Sequence, residues 1–225
     1  MTGAALSTAS TFVVPSLPTR LRRALGALWT LHRDPGRLDQ VLVFAQAVNA
    51  VSVARAATRI HEMPEGEKLL RERRRIDRAH VDFDALERLP DGTLGREYAR
   101  FLKDNEISPE PFEQLPDVGD ERIAFMMLRI RQTHDLWHVL TGYTPDIRGE
   151  VLLQMFSYAQ LGVPSALLLA LFGTLRYLGP SRALFRDLRT AYRRGKATAF
   201  LPTVAWEDRW ETPIVDLRAE LHCLA

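Results

Sequence analysis

The chain has 225 residues, 46% of them hydrophobic, which is enough to bury one sizeable core and is read as a single domain. Thirty lysines and arginines against 28 aspartates and glutamates leave a formal charge of +2, so composition makes no case for nucleic-acid binding, and no nucleic-acid partner is expected. The single cysteine, Cys223, excludes an internal disulfide and a thiolate-rich zinc cage, so a metal would need nitrogen and oxygen donors.

The opening MTGAALSTASTFVV lacks the charged and apolar regions of a secretory signal, and residues 1–14 are expected to form a flexible N-terminal segment ahead of a helical domain over 15–225. Arginines without acids before Asp34 also fit a mitochondrial transit peptide, but they lie on what reads as a proper helix. In that helix Leu21, Ala24, Leu25, Leu28 and Trp29 recur at helical spacing, with Arg20, Arg22 and Arg23 at its start. On pattern alone an ordinary packed helix is preferred; the competing reading is a membrane-surface contact. Asp34, Pro35 and Gly36 end it, and a more apolar helix spans about 38–58. The mixed-charge run EKLLRERRRIDR, residues 67–78, reads as a solvated helical face. After a turn at Leu89-Pro90-Asp91-Gly92, Thr93 is placed to cap a helix whose Leu94, Tyr98, Phe101 and Leu102 share a face. A polar connection runs from Lys103 to Gly119.

With Asp117 or Asp120 as N-cap, Ile123, Met127, Ile130, His134 and His138 fall on one helical stripe. A lone histidine on such a stripe is usually a core residue. Two at i and i+4 can direct both imidazoles at one ion. Gly142 is a C-cap, and Thr144-Pro145-Asp146 starts another helix with Thr144 as N-cap. The resulting hairpin places Glu150 at nearly the height of His138, given a rise of about 1.5 Å per residue. Asp135 either adds an oxygen ligand or orients an imidazole. The expected metal ligands are therefore His134, Asp135, His138 and Glu150, around zinc or another divalent first-row metal.

Two alternatives use the same residues. A zinc peptidase would need Asp135, one methylene shorter than glutamate, to reach a metal-bound water. A phosphohydrolase of the His-Asp type would need further ligands, for which only His61 and His80 offer themselves, without supporting spacing. Arg131, one turn before Asp135, reads as its ion-pair partner or as a contact for an anionic substrate. No charged residue occurs from Val151 to Leu175, yet Gln154, Gln160 and the Gly162-Val163-Pro164 break favour two buried helices over a membrane span. Such helices either fill a core or wall an apolar cavity beside the metal site. Without sustained strand alternation or repeats, the fold class is all-α, a single-domain multi-helix bundle with a metal site on a helical hairpin.

His134-Asp135-Leu136-Trp137-His138 with Glu150 after eleven intervening residues resembles the HDxxHx11E motif of the Coq4 family of ubiquinone biosynthesis proteins. LPDGTLGREYARFL at 89–102, RIRQTHDLWHVLTG at 129–142 and WEDRWETPIVDLRAEL at 206–221 are similar to it as well, so the resemblance runs from about Pro15 to the C-terminus. It implies an α-helical, metal-binding protein, with zinc as the usual ion, that acts on a polyprenylated hydroxybenzoate-type precursor. It also implies a peripheral position on the cytoplasmic face of the inner membrane, the matrix side in a mitochondrion. Partners implied are other quinone biosynthesis proteins and a second copy in a homodimer. Two roles follow from the resemblance: oxidative decarboxylation of the ring carbon C1, or a non-catalytic scaffold that presents the lipid intermediate. Metal ligands converging from two helices favour the enzyme, because decarboxylation needs a cation to hold the carboxylate or phenolate.

Overall fold

A computed structural model of the chain describes residues 14–34, 37–108 and 120–224. Residues 1–13 of the expected flexible segment and the middle of the polar connection lie outside these, as do Pro35, Gly36 and Asp117. Eleven α-helices account for the described fold: α1 (Leu17–Arg33), α2 (Leu38–Glu62), α3 (Pro64–Glu72), α4 (Phe83–Glu87), α5 (Leu94–Asp104), α6 (Glu121–Gln132), α7 (His134–Thr141), α8 (Ile147–Leu161), α9 (Pro164–Gly173), α10 (Arg182–Ala197) and α11 (Ile214–Glu220). No strand occurs among the described residues, so the all-α reading holds.

The main core gathers Tyr98 from α5, Leu136, Trp137 and Leu140 from α7, Leu153 and Phe156 from α8, and Trp206 and Leu217 from the C-terminal segment. Burying eight such side chains is the dominant favourable term, at roughly 1.5–3 kcal/mol each. The C-terminal segment also closes polar ends. Its Thr212 and Trp210 carbonyls accept from Leu94 N and Gly95 N, two of the first-turn donors that a helix cannot satisfy internally. Thr93 precedes α5 as expected, but its hydroxyl donates to the Pro90 carbonyl instead of capping; Glu97 reaches back to Gly92 N.

Three expectations need correcting. Helix α3 stops at Glu72, where Arg73 adopts φ 49°, so residues 73–78 form a connection and not a helical face. There Asp77 is buried between Arg75 and His80, at 2.7 and 2.5 Å. Helix α8 starts two residues later than read, at Ile147, with Asp146 accepting from Gly149 N as the N-cap and Thr144 Oγ1 donating to Asp146. Helix α1 is not packed through its large residues. Ala24 and Ala27 face the core, while Leu17, Leu21, Leu25, Leu28 and Trp29 are exposed, because the small residues let α1 lie close on α2.

The break at Pro164 falls where expected: Gly162 takes φ 66° and α9 starts at Pro164. Asn49 of α2 clamps the new helix by exchanging two hydrogen bonds with Ser165, at 2.7 and 3.0 Å. Helices α8 and α10 lie against each other at Gly195, where an added Cβ would stand 2.6 Å from the Phe156 carbonyl oxygen and 2.8 Å from the Ala159 Cβ. Gly195→Ala is expected to force these helices apart and to destabilise the fold by about 1–3 kcal/mol. Urea unfolding followed by circular dichroism measures this, and an unchanged midpoint would contradict so close an approach.

Candidate metal centre

Helix α6 begins as read, with Asp120 accepting from Arg122 N and Ile123 N. A slight jog at Thr133 then separates α6 from α7, although Thr133 N to Arg129 O and Trp137 N to Thr133 O keep the backbone ladder running. The expected stripe is divided there, its three apolar members joining one cluster and its two histidines none. Ile123, Met127 and Ile130 pack toward α2, while α7 turns Leu136, Trp137 and Leu140 into the main core.

His134 and His138 remain together, with ring centroids 5.0 Å apart and planes nearly perpendicular. Gly142, at φ 75°, ends α7 in the left-handed conformation that only glycine adopts without strain. The chain then returns through α8 and brings Glu150 opposite. Glu150 Oε1 lies 3.0 Å from His138 Nε2 and Oε2 lies 3.6 Å from His134 Nε2. One ligand atom from each of the three residues falls within 4.8 Å of the others. A tetrahedral zinc with bonds of about 2.0–2.1 Å would set its donors ~3.4 Å apart, within the spread found here.

The donor chemistry points the same way. His138 Nδ1 stands 2.9 Å from the Tyr143 carbonyl oxygen, which can only accept, so Nδ1 carries the proton. A neutral His138 then presents the Nε2 lone pair to the Glu150 carboxylate, and two acceptors at 3.0 Å require a proton or a cation between them. The Tyr143 carbonyl is also the kind of outer partner that orients a ligating imidazole. Phe101 of α5 stacks on the His138 ring at 5.4 Å.

Asp135 is the exception among the four expected ligands. Its carboxylate is not in the cluster that His134, His138 and Glu150 form among the described residues. Consecutive residues on a helix point about 100° apart, so Asp135 cannot share the direction of His134. It remains electrostatically close. Burial raises the Asp135 carboxyl above its ordinary value against the pull of the two imidazoles, and Asp135 in turn helps burial to raise the Tyr98 phenol. Asp135 thus lies outside the three-residue cluster yet within the electrostatic reach of all three of its members. Arg131 forms no ion pair with it, nor any hydrogen bond among the described residues, and burial lowers its pKa. His61 pairs with Glu67 and His80 with Asp77, so neither joins the centre.

Two residues that the sequence did not single out hold α7 in place. Arg218 of α11 donates to the carbonyls of Val139 and Leu140, and Arg194 of α10 donates to those of Thr141 and Cys223. Their only signal in the sequence was an arginine in each of two C-terminal helices, which does not specify a partner 53 or 78 residues away. Beyond His138 a cleft of about 440 Å³ opens between α5 and the hairpin, lined by Phe101, Val139, Tyr143 and Ile214.

An all-α bundle that presents two imidazoles and a carboxylate from a helical hairpin defines a class of proteins with a candidate metal centre near the surface. The profile of the "Coenzyme Q (ubiquinone) biosynthesis protein Coq4" family matches residues 14–224. The chain belongs to the Coq4 family and is a ubiquinone biosynthesis protein. It is 35% identical over 211 residues to the mitochondrial ubiquinone biosynthesis protein COQ4 homolog of Rattus norvegicus, covering 92% of this chain and 80% of that one. The mitochondrial COQ4 protein of Coprinopsis cinerea is 33% identical over 197 residues, covering 87% and 68%. A crystal structure of a protein from Nostoc punctiforme assigned to ubiquinone biosynthesis superposes with a TM-score of 0.72 at 27% identity, covering 91% of this chain and 99% of that one.

Metal uptake must compete with protons. Burial opposes charge on His134, but Glu150 and then Asp135 outweigh it and raise its pKa above the ordinary 6.5. Burial likewise opposes ionisation of Glu150, yet the two imidazoles hold it down to about 2. In the metal-free protein the Glu150 pairing therefore stabilises the fold above an ordinary carboxyl's pKa and is lost as pH falls toward about 2. A metal must displace the His134 proton, so affinity is expected to rise with pH through and beyond 6.5 before levelling. Zinc titration calorimetry at several pH values measures the trend, and a flat profile would contradict it. Glu150→Gln keeps the shape but removes the anion, and should weaken zinc binding by more than the roughly 10–100-fold typical of an outer-shell change.

Proposed function

We propose that this protein is a metal-dependent enzyme of ubiquinone biosynthesis that removes the C1 carboxylate of a polyprenylated hydroxybenzoate precursor and leaves a hydroxyl. The observation that carries this reading is the uneven exposure of the three ligands. The His138 side chain is 1% exposed, whereas those of His134 and Glu150 are 32% and 40% exposed. A purely structural metal site is closed by four protein ligands; three donors open on one side leave a position for an exchangeable group. A scaffold has no chemical need for such a position, which is why the enzyme is preferred to a non-catalytic lipid-presenting role.

Zinc, the first choice for two imidazoles and a carboxylate, would supply a Lewis acid that holds the substrate carboxylate or phenolate and stabilises developing charge. His138, fixed by the Tyr143 carbonyl and Phe101, serves as the rigid donor. His134 and Glu150 face the open side, where the aromatic head would enter. Overall, the aryl carboxylate and one water give the phenol, carbon dioxide, one proton and two electrons, with dioxygen as the electron acceptor to be tried first.

The long prenyl tail requires access to a membrane. No helix among the described residues is long and apolar enough to cross one. Two apolar faces instead stand outward: Leu21, Leu25, Leu28 and Trp29 on α1, and Leu168, Leu169, Leu171 and Phe172 on α9. Arg22 and Arg23 are exposed beside the first, and Arg33 lies 4.7 Å over the Trp29 ring. Basic side chains flanking an apolar stripe suit a peripheral position on anionic lipid, at the inner-membrane surface, with other quinone biosynthesis proteins and a second copy of the chain as neighbours.

Aerobic incubation of zinc-loaded protein with a prenylated 4-hydroxybenzoate precursor, followed by mass spectrometry, tests the chemistry. The expected result is loss of the carboxylate mass and gain of a hydroxyl with the wild type, and no product with His134→Ala or Glu150→Gln. Metal and precursor binding without turnover, under conditions where an active relative works, would establish the scaffold instead. Separately, Arg22→Glu with Arg23→Glu should reduce sedimentation with anionic vesicles, and undiminished binding would remove α1 from the membrane contact.

A further inference from the structure

A second polar site lies further along the helix that carries Glu150. Tyr158 is eight residues beyond Glu150, about 12 Å at 1.5 Å per residue. Here the ends of α8 and α10 meet the middle of α2 around a pocket of about 310 Å³. Its rim carries Arg55 and Arg59, one turn apart on α2, with Lys196 of α10 and the phenols of Tyr158 and Tyr192. No carboxylate lines it.

Cations beside helix C-termini often serve only to meet unpaired carbonyls and the negative end of the helix dipole. Several of the carbonyls here already have donors. Gly162 N occupies the Tyr158 carbonyl, Ser52 Oγ that of Gly162, Gln160 Nε2 those of Gly195 and Thr198, and Thr198 Oγ1 that of Arg194. Arg55, Arg59 and Lys196 have no hydrogen bond or ion pair among the described residues, and neither phenol has a hydrogen bond. Arg59 is held only by its face, 3.9 Å from the Phe200 ring centroid, which leaves its five N–H donors available.

The field around the pocket has the same sign. Arg182, Arg186, Arg189, Arg193 and Lys196 follow one another on α10 at steps of four, three, four and three, forming one exposed stripe that ends at the pocket. Asp187 is the one acidic residue of α10; it pairs with Arg148 and, at 3.9 Å, with Arg186 of the stripe, at the far end from the pocket. A row of like charges ending in a recess raises the local concentration of anions and steers them inward.

We propose that Arg55, Arg59 and Lys196, with Tyr158 and Tyr192, form a binding site for a phosphate group, separate from the candidate metal centre. Phosphate matches the donor set: several acceptor oxygens carrying more than one negative charge, opposite guanidinium forks, an ammonium and hydroxyls. The same group is carried by a soluble phosphate compound and by a phospholipid head, and the site recognises what they share.

The test uses the full chain in EDTA, so that no metal binds the probe, with inorganic phosphate and pyrophosphate titrated calorimetrically at fixed ionic strength. Both should bind, pyrophosphate more tightly. Arg59→Gln with Lys196→Gln should weaken binding about tenfold or more, the usual scale for losing charge-assisted hydrogen bonds. His134→Ala should leave it unchanged. Arg71→Gln with Arg122→Gln removes the same charge from exposed arginines outside the pocket and should change binding little. No phosphate binding by the wild type, or equal weakening by both double variants, would overturn the site. Vesicles of phosphatidylcholine with and without phosphatidic acid then distinguish the source: retention by phosphatidic acid that pyrophosphate displaces identifies a lipid head, and pyrophosphate binding without vesicle retention identifies a soluble phosphate.

Discussion

The last turn of α7 is the constraint on which the rest of the site depends. A helix end leaves carbonyls unpaired, and here the end lies directly after His138, where any fraying would move the imidazole. Guanidinium groups from α10 and α11 take the Val139, Leu140 and Thr141 carbonyls, and positive charge at a helix C-terminus is favourable in its own right. The C-terminal segment thereby does two things at once. Through Leu217 and Trp206 it fills the core beneath α7, and through Arg218 it fixes the register of the helix above.

With α7 held, the short turn after Gly142 allows few paths back, and one side effect of that turn is chemical. It delivers the Tyr143 carbonyl to His138 Nδ1, deciding which nitrogen keeps its proton, and then delivers Glu150 to the other nitrogen. The Glu150 carboxylate and the His134 imidazole hold one another in charged form, against a burial that would discharge each of them alone. The two helices flanking this hairpin differ in kind: α10 is rich in cations, and α9 is apolar with three of its four leucines outward.

Much of this was legible in the chain. The 3.6-residue periodicity gave the all-α class, and the turn chemistry at Gly142 and at Gly162-Pro164 located real helix ends because glycine and proline act through local sterics that tertiary contacts seldom override. Other boundaries were misread for a physical reason. Thr144 and Asp146 are both able to cap, and the choice depends on which amide each side chain reaches; the run at 67–78 has helical composition, but Arg73 turns left-handed and Asp77 goes inward to Arg75 and His80. The stripe on α1 grouped Ala24 with Leu21, Leu25, Leu28 and Trp29, but Ala24 faces the core and the four large residues face outward.

The sequence by itself determined the helices, the pairing of His134 with His138 by their spacing, and the family to which such a motif belongs. The tertiary structure decided which of the neighbouring acids meets them. Glu150, across a hairpin, faces both rings at 3.0 and 3.6 Å, whereas Asp135, next to His134 in the chain, lies outside that three-residue cluster. Adjacency along a helix rotates side chains apart, and only the packing of α8 against α7, secured by arginines from the far end of the chain, brings a distant carboxylate into line.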